Sequence, residues 1–157
     1  MYSRLVSADD AAYLLDLNGA AEIFDAHTKG ELQAAKKGPR GDRFLVGDIV
    51  MFKLAQVMRQ LGVDSERSIR YAEAVLASRL AENEGNLMEW VENEAQELFC
   101  LIADDQLARI FLRNKDDFRE VEVGAVKPIL LPSTRCEINV FRVIRPVIYR
   151  AHQLFGE

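Results

Sequence analysis

The chain has 157 residues and a formal net charge of −5, and 49% of its residues are hydrophobic and 29% charged. This composition excludes a globally disordered chain, and the length suits one domain or two small ones with a sizeable core. No apolar run approaches the roughly 18 residues of a membrane-spanning helix. Acidic residues interrupt the first apolar stretch, so we expect no signal peptide and a cytoplasmic protein.

Positive charge is concentrated in one part of the sequence. Residues 28–71 carry nine basic and five acidic side chains, whereas residues 72–122 carry five basic and thirteen acidic ones. A basic face on an acidic protein is compatible with nucleic-acid binding. It is equally compatible with an ordinary solvated surface, so the charge distribution leaves both alternatives open.

A helix is predicted near the amino terminus. Ser7 has the side chain of a helix cap, and Asp9 and Asp10 follow in the first turn, where the helix dipole favours acids. We expect this helix to run to about Leu17 and to end at Asn18-Gly19. Asn-Gly also forms tight hairpin turns, but the apolar residues that follow do not alternate as in a strand.

Two short helices and a basic loop come next. The first helix is predicted over residues 20–26, and Thr28 is placed to cap a second helix over residues 29–37, closed by Gly38. Residues 39–46 then read as a turn-rich loop that leads into a short strand.

Two longer helices complete the first half of the sequence. Apolar residues recur at helical spacing after Asp48, and Gly62 ends that helix. Asp64 or Ser65 caps the next helix, which we expect to end near Glu82.

The second half predicts strands and a final helix. Residues 98–103 and 108–113 form a candidate hairpin, and residues 119–123 and 126–131 form a second candidate pair around a glycine. Asn139 is placed to cap an amphipathic carboxy-terminal helix.

These elements predict an α+β fold of two parts. Residues 1–82 would form a winged helix-turn-helix-like domain, and residues 83–157 a small α+β domain. In the second part, the carboxy-terminal helix would cover a small antiparallel sheet.

Residues 19–63 resemble the mercury-resistance-regulator-like (MerR-type) winged helix-turn-helix family. Residues 20–24 are similar to the first helix of that family, residues 28–38 to its recognition helix, and residues 43–50 to its wing strand and third helix. The resemblance implies a DNA-binding transcriptional regulator of a small bacterial or phage type. Its expected partner is double-stranded DNA, with a homodimer as a further possibility.

Six side chains are candidates for DNA contacts. On a helix over residues 29–37, Leu32 and Ala35 would point inward, and the polar residues would point towards a DNA groove. Glutamine can read adenine, and lysine and arginine can bind guanine or phosphate. The candidates from this helix and the following loop are Lys29, Gln33, Lys36, Lys37, Arg40 and Arg43.

The main alternative is a non-catalytic protein-interaction module, such as an adaptor or antitoxin-like protein, on the same scaffold. Gln33, Ala34 and Ala35 stand where members of that family usually carry an arginine and paired aromatic residues. A basic outward face over residues 29–43 would favour DNA, and an apolar face would favour a protein partner.

No enzymatic or metal chemistry is expected. His27 and His152 have no second ligand at metal spacing, and Cys100 and Cys136 lie in apolar contexts that favour buried thiols. We find neither a nucleophile–base pair nor a cofactor motif, so the sequence predicts a protein that is not an enzyme and needs no cofactor.

Overall fold

The computed structural model describes residues 1–93, 95–124, 126 and 129–156, apart from the side chains of Ser78, Ala81 and Glu84. The described residues form an α+β fold with helices and two antiparallel sheets, as the sequence predicts. In chain order the elements are β1 (Leu5–Val6), α1 (Ala8–Leu15), α2 (Ala21–Thr28), β2 (Phe44–Leu45), α3 (Val46–Gln60), α4 (Ser65–Glu82), α5 (Leu87–Glu92), β3 (Gln96–Ala103), β4 (Gln106–Asn114), β5 (Glu120–Glu122), β6 (Arg135–Asn139) and α6 (Val140–Phe155).

Three helices begin at the caps that the sequence predicts. Ser7 and Asp10 form a reciprocal capping box at the start of α1. Asp64 accepts a hydrogen bond at the start of α4, and Asn139 does the same at the start of α6. Helix α1 ends at Asp16, which adopts a left-handed conformation with φ of 62°, earlier than predicted.

The predicted helix over residues 29–37 is wrong. Helix α2 extends through Thr28, whose hydroxyl donates to the Phe24 carbonyl one turn back at 2.8 Å instead of capping a new helix. Gly30 then takes a left-handed conformation with φ of 75°, which ends the helical path. The following residues run as irregular chain to an isolated β-bridge at Lys36.

A two-stranded ribbon ties the start of the chain to the start of α3. Strands β1 and β2 pair antiparallel, with Val6 opposite Phe44, and the chain between them contains α1 and α2. Helix α3 begins at Val46, two residues before the predicted start at Asp48. A Cβ atom at position 47 would overlap the ring of Tyr2, so any larger residue there would displace that ring.

The larger sheet has the order β5-β4-β3-β6. The predicted hairpin is confirmed as β3 and β4, and its two turn residues, Asp104 and Asp105, have φ of 49° and 60°. Positive φ at both positions matches the right-handed twist of a two-residue hairpin.

The second predicted strand pair, residues 119–123 with 126–131, is wrong. Strand β5 pairs with β4, and β6 takes the other free edge beside β3. Lys127 and Pro128 lie outside the described residues. Leu130 and Leu131 are 87% and 97% exposed, so these apolar residues cover no sheet.

One hydrophobic core joins the two halves of the chain. Helix α6 packs against β3, as predicted, and also against α1, α3 and α5. The buried residues of this core run from Val6 to Ala151. The division into domains at residue 82 stays a prediction. In the part of the chain that the structure describes, no helix combines the length and apolar character needed to cross a membrane.

Candidate nucleic-acid interface

Residues 36–43 form a tight loop, which we call the basic hairpin. At its base the Arg43 amide donates to the Lys36 carbonyl at 2.8 Å, and the Lys36 amide donates back at 3.2 Å. At its tip the Gly41 amide donates to the Gly38 carbonyl at 3.0 Å. Gly41 has φ of 93°, a conformation that glycine adopts at little cost.

The hairpin carries four cationic side chains. Lys36, Lys37 and Arg40 are exposed, and Arg43 is half-buried. Among the described residues, none of these four side chains forms an ion pair. Asp42 is the single acid between residues 36 and 43, and its carboxylate lies 3.4 Å from the His27 ring.

A shallow cleft of about 330 Å³ lies against the hairpin. Its lining includes the side chains of Lys36, Arg40 and Arg43 together with Leu5, and none of the described residues that line it is acidic. Three cations around one concave surface attract anions, and phosphate is an anion that lysine and arginine both bind.

His27 positions the hairpin against α2. Its Nδ1 atom lies 2.9 Å from the Leu32 carbonyl oxygen, and its Nε2 atom lies 3.4 Å from an Asp42 carboxylate oxygen. Its ring packs edge-on against Phe44, with 5.8 Å between the ring centroids. The sequence gives no local signal for this role because two of the partners lie at least fifteen residues further along the chain.

The structure separates the six predicted DNA contacts into two groups. The first group lies on the basic hairpin and comprises Lys36, Lys37, Arg40 and Arg43. Lys29 instead closes α2 and forms an ion pair with Asp25 at 2.7 Å, and the hydrogen bond from this pair raises the pKa of Lys29. Gln33 lines a different cleft, beside Asp48 and Glu73.

The outward face of α2 is acidic. Glu22 and Asp25 are exposed on it, together with the ring of Phe24. A helix that enters a DNA groove normally presents hydrogen-bond donors and cations to bases and phosphates. Helix α2 therefore lacks a set of base-reading side chains, and the cations of this region belong to the hairpin.

Burial is the main cause of the raised pKa of two groups that lie away from the hairpin, Cys100 and Asp48. Burial raises the pKa of the Cys100 thiol to about 12, with a smaller contribution from Cys136, so Cys100 stays a neutral thiol at physiological pH. Burial also raises the pKa of Asp48, and the negative charge of Glu73 adds to the effect. Within the described ranges, no group of three histidine, cysteine or acidic side chains is arranged to hold a metal ion.

The sequence matches no protein-family model, and it matches none of the curated proteins.

Proposed function

We propose that this protein binds double-stranded DNA through the basic hairpin and acts as a small DNA-binding regulator of a bacterial or phage type. The observation that carries the proposal is the presence of four cations, without ion-pair partners among the described residues, on one loop of eight residues. Lysine and arginine side chains on exposed loops are the groups that bind DNA phosphates.

The order of elements supports the same proposal. Helices α1 and α2 pack together across a short connection, and α2 is followed by the hairpin, by β2 and by α3. We take this order as that of a helix-turn-helix followed by a wing. In this arrangement α1 would be the first helix of the motif and α2 the second. They would replace the helices predicted over residues 20–26 and 29–37.

The distribution of charged side chains favours contacts with DNA phosphates over contacts with bases. A duplex carries one negative charge for roughly each 1.7 Å of its axis, so it attracts the hairpin and repels the exposed Glu22 of α2, while Lys29 offsets the charge of Asp25. The hairpin cations would displace counterions from the phosphates, which makes affinity strongly dependent on salt. Contacts of this kind position a protein on DNA without selecting a sequence.

Fluorescence anisotropy of a labelled mixed-sequence duplex tests this proposal. The intact protein is expected to bind at low salt, and Lys37→Ala and Arg40→Ala are each expected to weaken binding several-fold on every duplex. Arg135→Ala is a matched control, because Arg135 is an exposed cation on β6. An equal loss in the control would show a dependence on net charge alone and would contradict a hairpin site.

A protein-interaction module is the second candidate. It is supported by large apolar side chains left in solvent, of which Leu130, Leu131 and Phe118 are the most exposed, at 87%, 97% and 72%. Absence of duplex binding by the intact protein at low salt would reject the DNA proposal and favour this second candidate.

A further inference from the structure

A cleft of about 420 Å³ lies far along the chain from the basic hairpin, where the beginning of β3 and the end of β4 meet the first turns of α6. We call it the Lys115 cleft. Its size falls within the range of pockets that hold small organic molecules. The lining side chains that matter for its chemistry are Glu97, Phe99, Lys115, Phe118, Arg142 and Arg145.

Two cations of the cleft share one carboxylate. Lys115 Nζ and an Arg145 guanidinium nitrogen each lie 3.8 Å from the same Glu97 oxygen, which is too far for a hydrogen bond. The other Glu97 oxygen accepts a hydrogen bond from the Asn139 side chain at 2.9 Å. Glu97 is nearly buried, so its charge offsets part of the positive charge of the cleft without occupying the donors.

Hydrogen-bond donors therefore remain available in the cleft. Arg145 donates two hydrogen bonds to the Val91 carbonyl, at 3.1 and 2.6 Å. Among the described residues, the side chains of Lys115 and Arg142 donate no hydrogen bond, and Arg142 forms no ion pair. These two side chains can donate to a bound anion.

Phe118 lies at the cleft with an exposed ring and a strained backbone. Phe118 is 72% exposed and has φ of 59°, a left-handed conformation that costs a bulky residue on the order of 1 kcal/mol. The Phe118 amide donates to the Asn114 carbonyl at 3.0 Å, and the Asn114 side chain accepts from the amides of Asp116 and Asp117. Phe118 and Phe99 both line the cleft, and residues with a strained backbone concentrate at binding sites.

We propose that the Lys115 cleft binds a small organic acid with a planar aromatic body and a single carboxylate. The carboxylate accepts hydrogen bonds from Lys115 and Arg142, and the aromatic body packs on Phe118. The ring of Phe99, which also lines the cleft, is covered by the Arg113 guanidinium at 4.4 Å from its centroid. The cations Lys115, Arg142 and Arg145 outnumber the one carboxylate of the lining, Glu97, so the cleft attracts an anion. Inorganic phosphate is an anion without the aromatic body that Phe118 would contact. This site is independent of DNA binding by the hairpin.

Calorimetric titration of the full chain with 1-naphthoate tests the proposal, with the uncharged 1-naphthamide and inorganic phosphate as comparison ligands. Saturable binding of naphthoate is expected, with binding of naphthamide and of phosphate at least about tenfold weaker, because each lacks one of the two required features. Equal binding of naphthoate and naphthamide, or no binding of naphthoate, would overturn the proposal.

Variants locate the site. Lys115→Met and Arg142→Gln should each weaken naphthoate binding about tenfold, and Phe118→Ser should weaken naphthoate but leave phosphate unchanged. Arg135→Gln, on β6, is the matched control and should bind as the unchanged protein does. Because Arg142 is exposed and pairs with no described side chain, its replacement tests the site without disturbing Glu97. Unchanged affinity in Arg142→Gln and Lys115→Met would place the ligand elsewhere and contradict the assignment.

Discussion

Lys36 and Arg43 lie directly opposite each other in an antiparallel bridge, joined by backbone hydrogen bonds of 2.8 and 3.2 Å. Residues in this relationship project from the same side of a hairpin, with Cβ atoms about 5 Å apart. Two like charges therefore face one direction at the base of the hairpin. This arrangement lowers the stability of the free protein and would be relieved by an anion.

Lys36→Glu should therefore stabilise the protein while it removes DNA binding. The new carboxylate would face Arg43, and an opposite-charge pair across a bridge contributes about 0.2–1 kcal/mol to the free energy of unfolding. Urea denaturation measures the gain. Lys37→Glu is the matched control and should leave stability unchanged, because Lys37 lies outside the bridge. A loss of stability in Lys36→Glu would contradict the geometry of the bridge.

Gly30→Ala should lower the free energy of unfolding by about 1 kcal/mol. Gly30 has φ of 75°, and a Cβ atom there would meet no atom within 4 Å, so the cost comes from the backbone conformation alone. Gly19→Ala offers a control, since Gly19 also has open space but lacks a positive φ. Chemical denaturation of both variants should show a clear loss for Gly30→Ala only; equal effects would reject the left-handed end of α2.

Arg113→Ala should cost more than Arg119→Ala. Arg113 donates to both oxygens of Glu137 at 2.8 Å and to Glu120 at 2.7 Å, and its guanidinium lies 4.4 Å from the ring centroid of Phe99. We expect a loss of about 1–2 kcal/mol in the free energy of unfolding, because the ion pairs form a network over an aromatic ring.

Within the described part of the chain, Arg119 forms an ion pair with Asp117 alone, at 2.6 Å, and its side chain is 80% exposed. Exposed pairs of this kind contribute little to stability. Equal losses in the two variants, measured by urea denaturation, would show that the network over the ring adds nothing.

Asp48 should make stability depend on pH. Burial, with the charge of Glu73, raises the pKa of Asp48 in the folded protein. The folded state then retains the proton of Asp48 to a higher pH than the unfolded state does. The contribution of Asp48 to the free energy of unfolding therefore falls as the pH rises from about 3 towards 6. Asp48→Asn removes this dependence, and denaturation of both proteins across this range measures it. The free energy of unfolding of the unchanged protein should fall relative to that of Asp48→Asn as the pH rises. If the difference between the two proteins stays constant, or if the unchanged protein gains stability relative to the variant, the burial of Asp48 is contradicted.

Helix caps were predictable because they act within one turn. Ser7, Asp64 and Asn139 each accept a hydrogen bond from an amide three residues along the chain, so their signal is local. Thr28 carried the same signal and was misleading, because its hydroxyl can bond to the carbonyl four residues back in α2 just as well.

Strand partners were less predictable because they depend on distant parts of the chain. Strand β6 pairs with β3, with Ile138 opposite Cys100, and no local pattern ties these segments together. The candidate site shows the same limit. The four cations of the basic hairpin are neighbours in sequence and lie on one loop, whereas Lys29 and Gln33 were joined to them only through a helix that the structure lacks.

The salt dependence of duplex binding tests the central claim most directly. In the intact protein, the logarithm of the association constant should fall linearly with the logarithm of salt concentration. The quadruple variant Lys36→Ala, Lys37→Ala, Arg40→Ala and Arg43→Ala should reduce that slope by roughly one unit for each cation removed. Arg135→Ala should leave it unchanged. An unaltered slope in the quadruple variant, or no duplex binding by the intact protein at low salt, would contradict DNA binding by the basic hairpin.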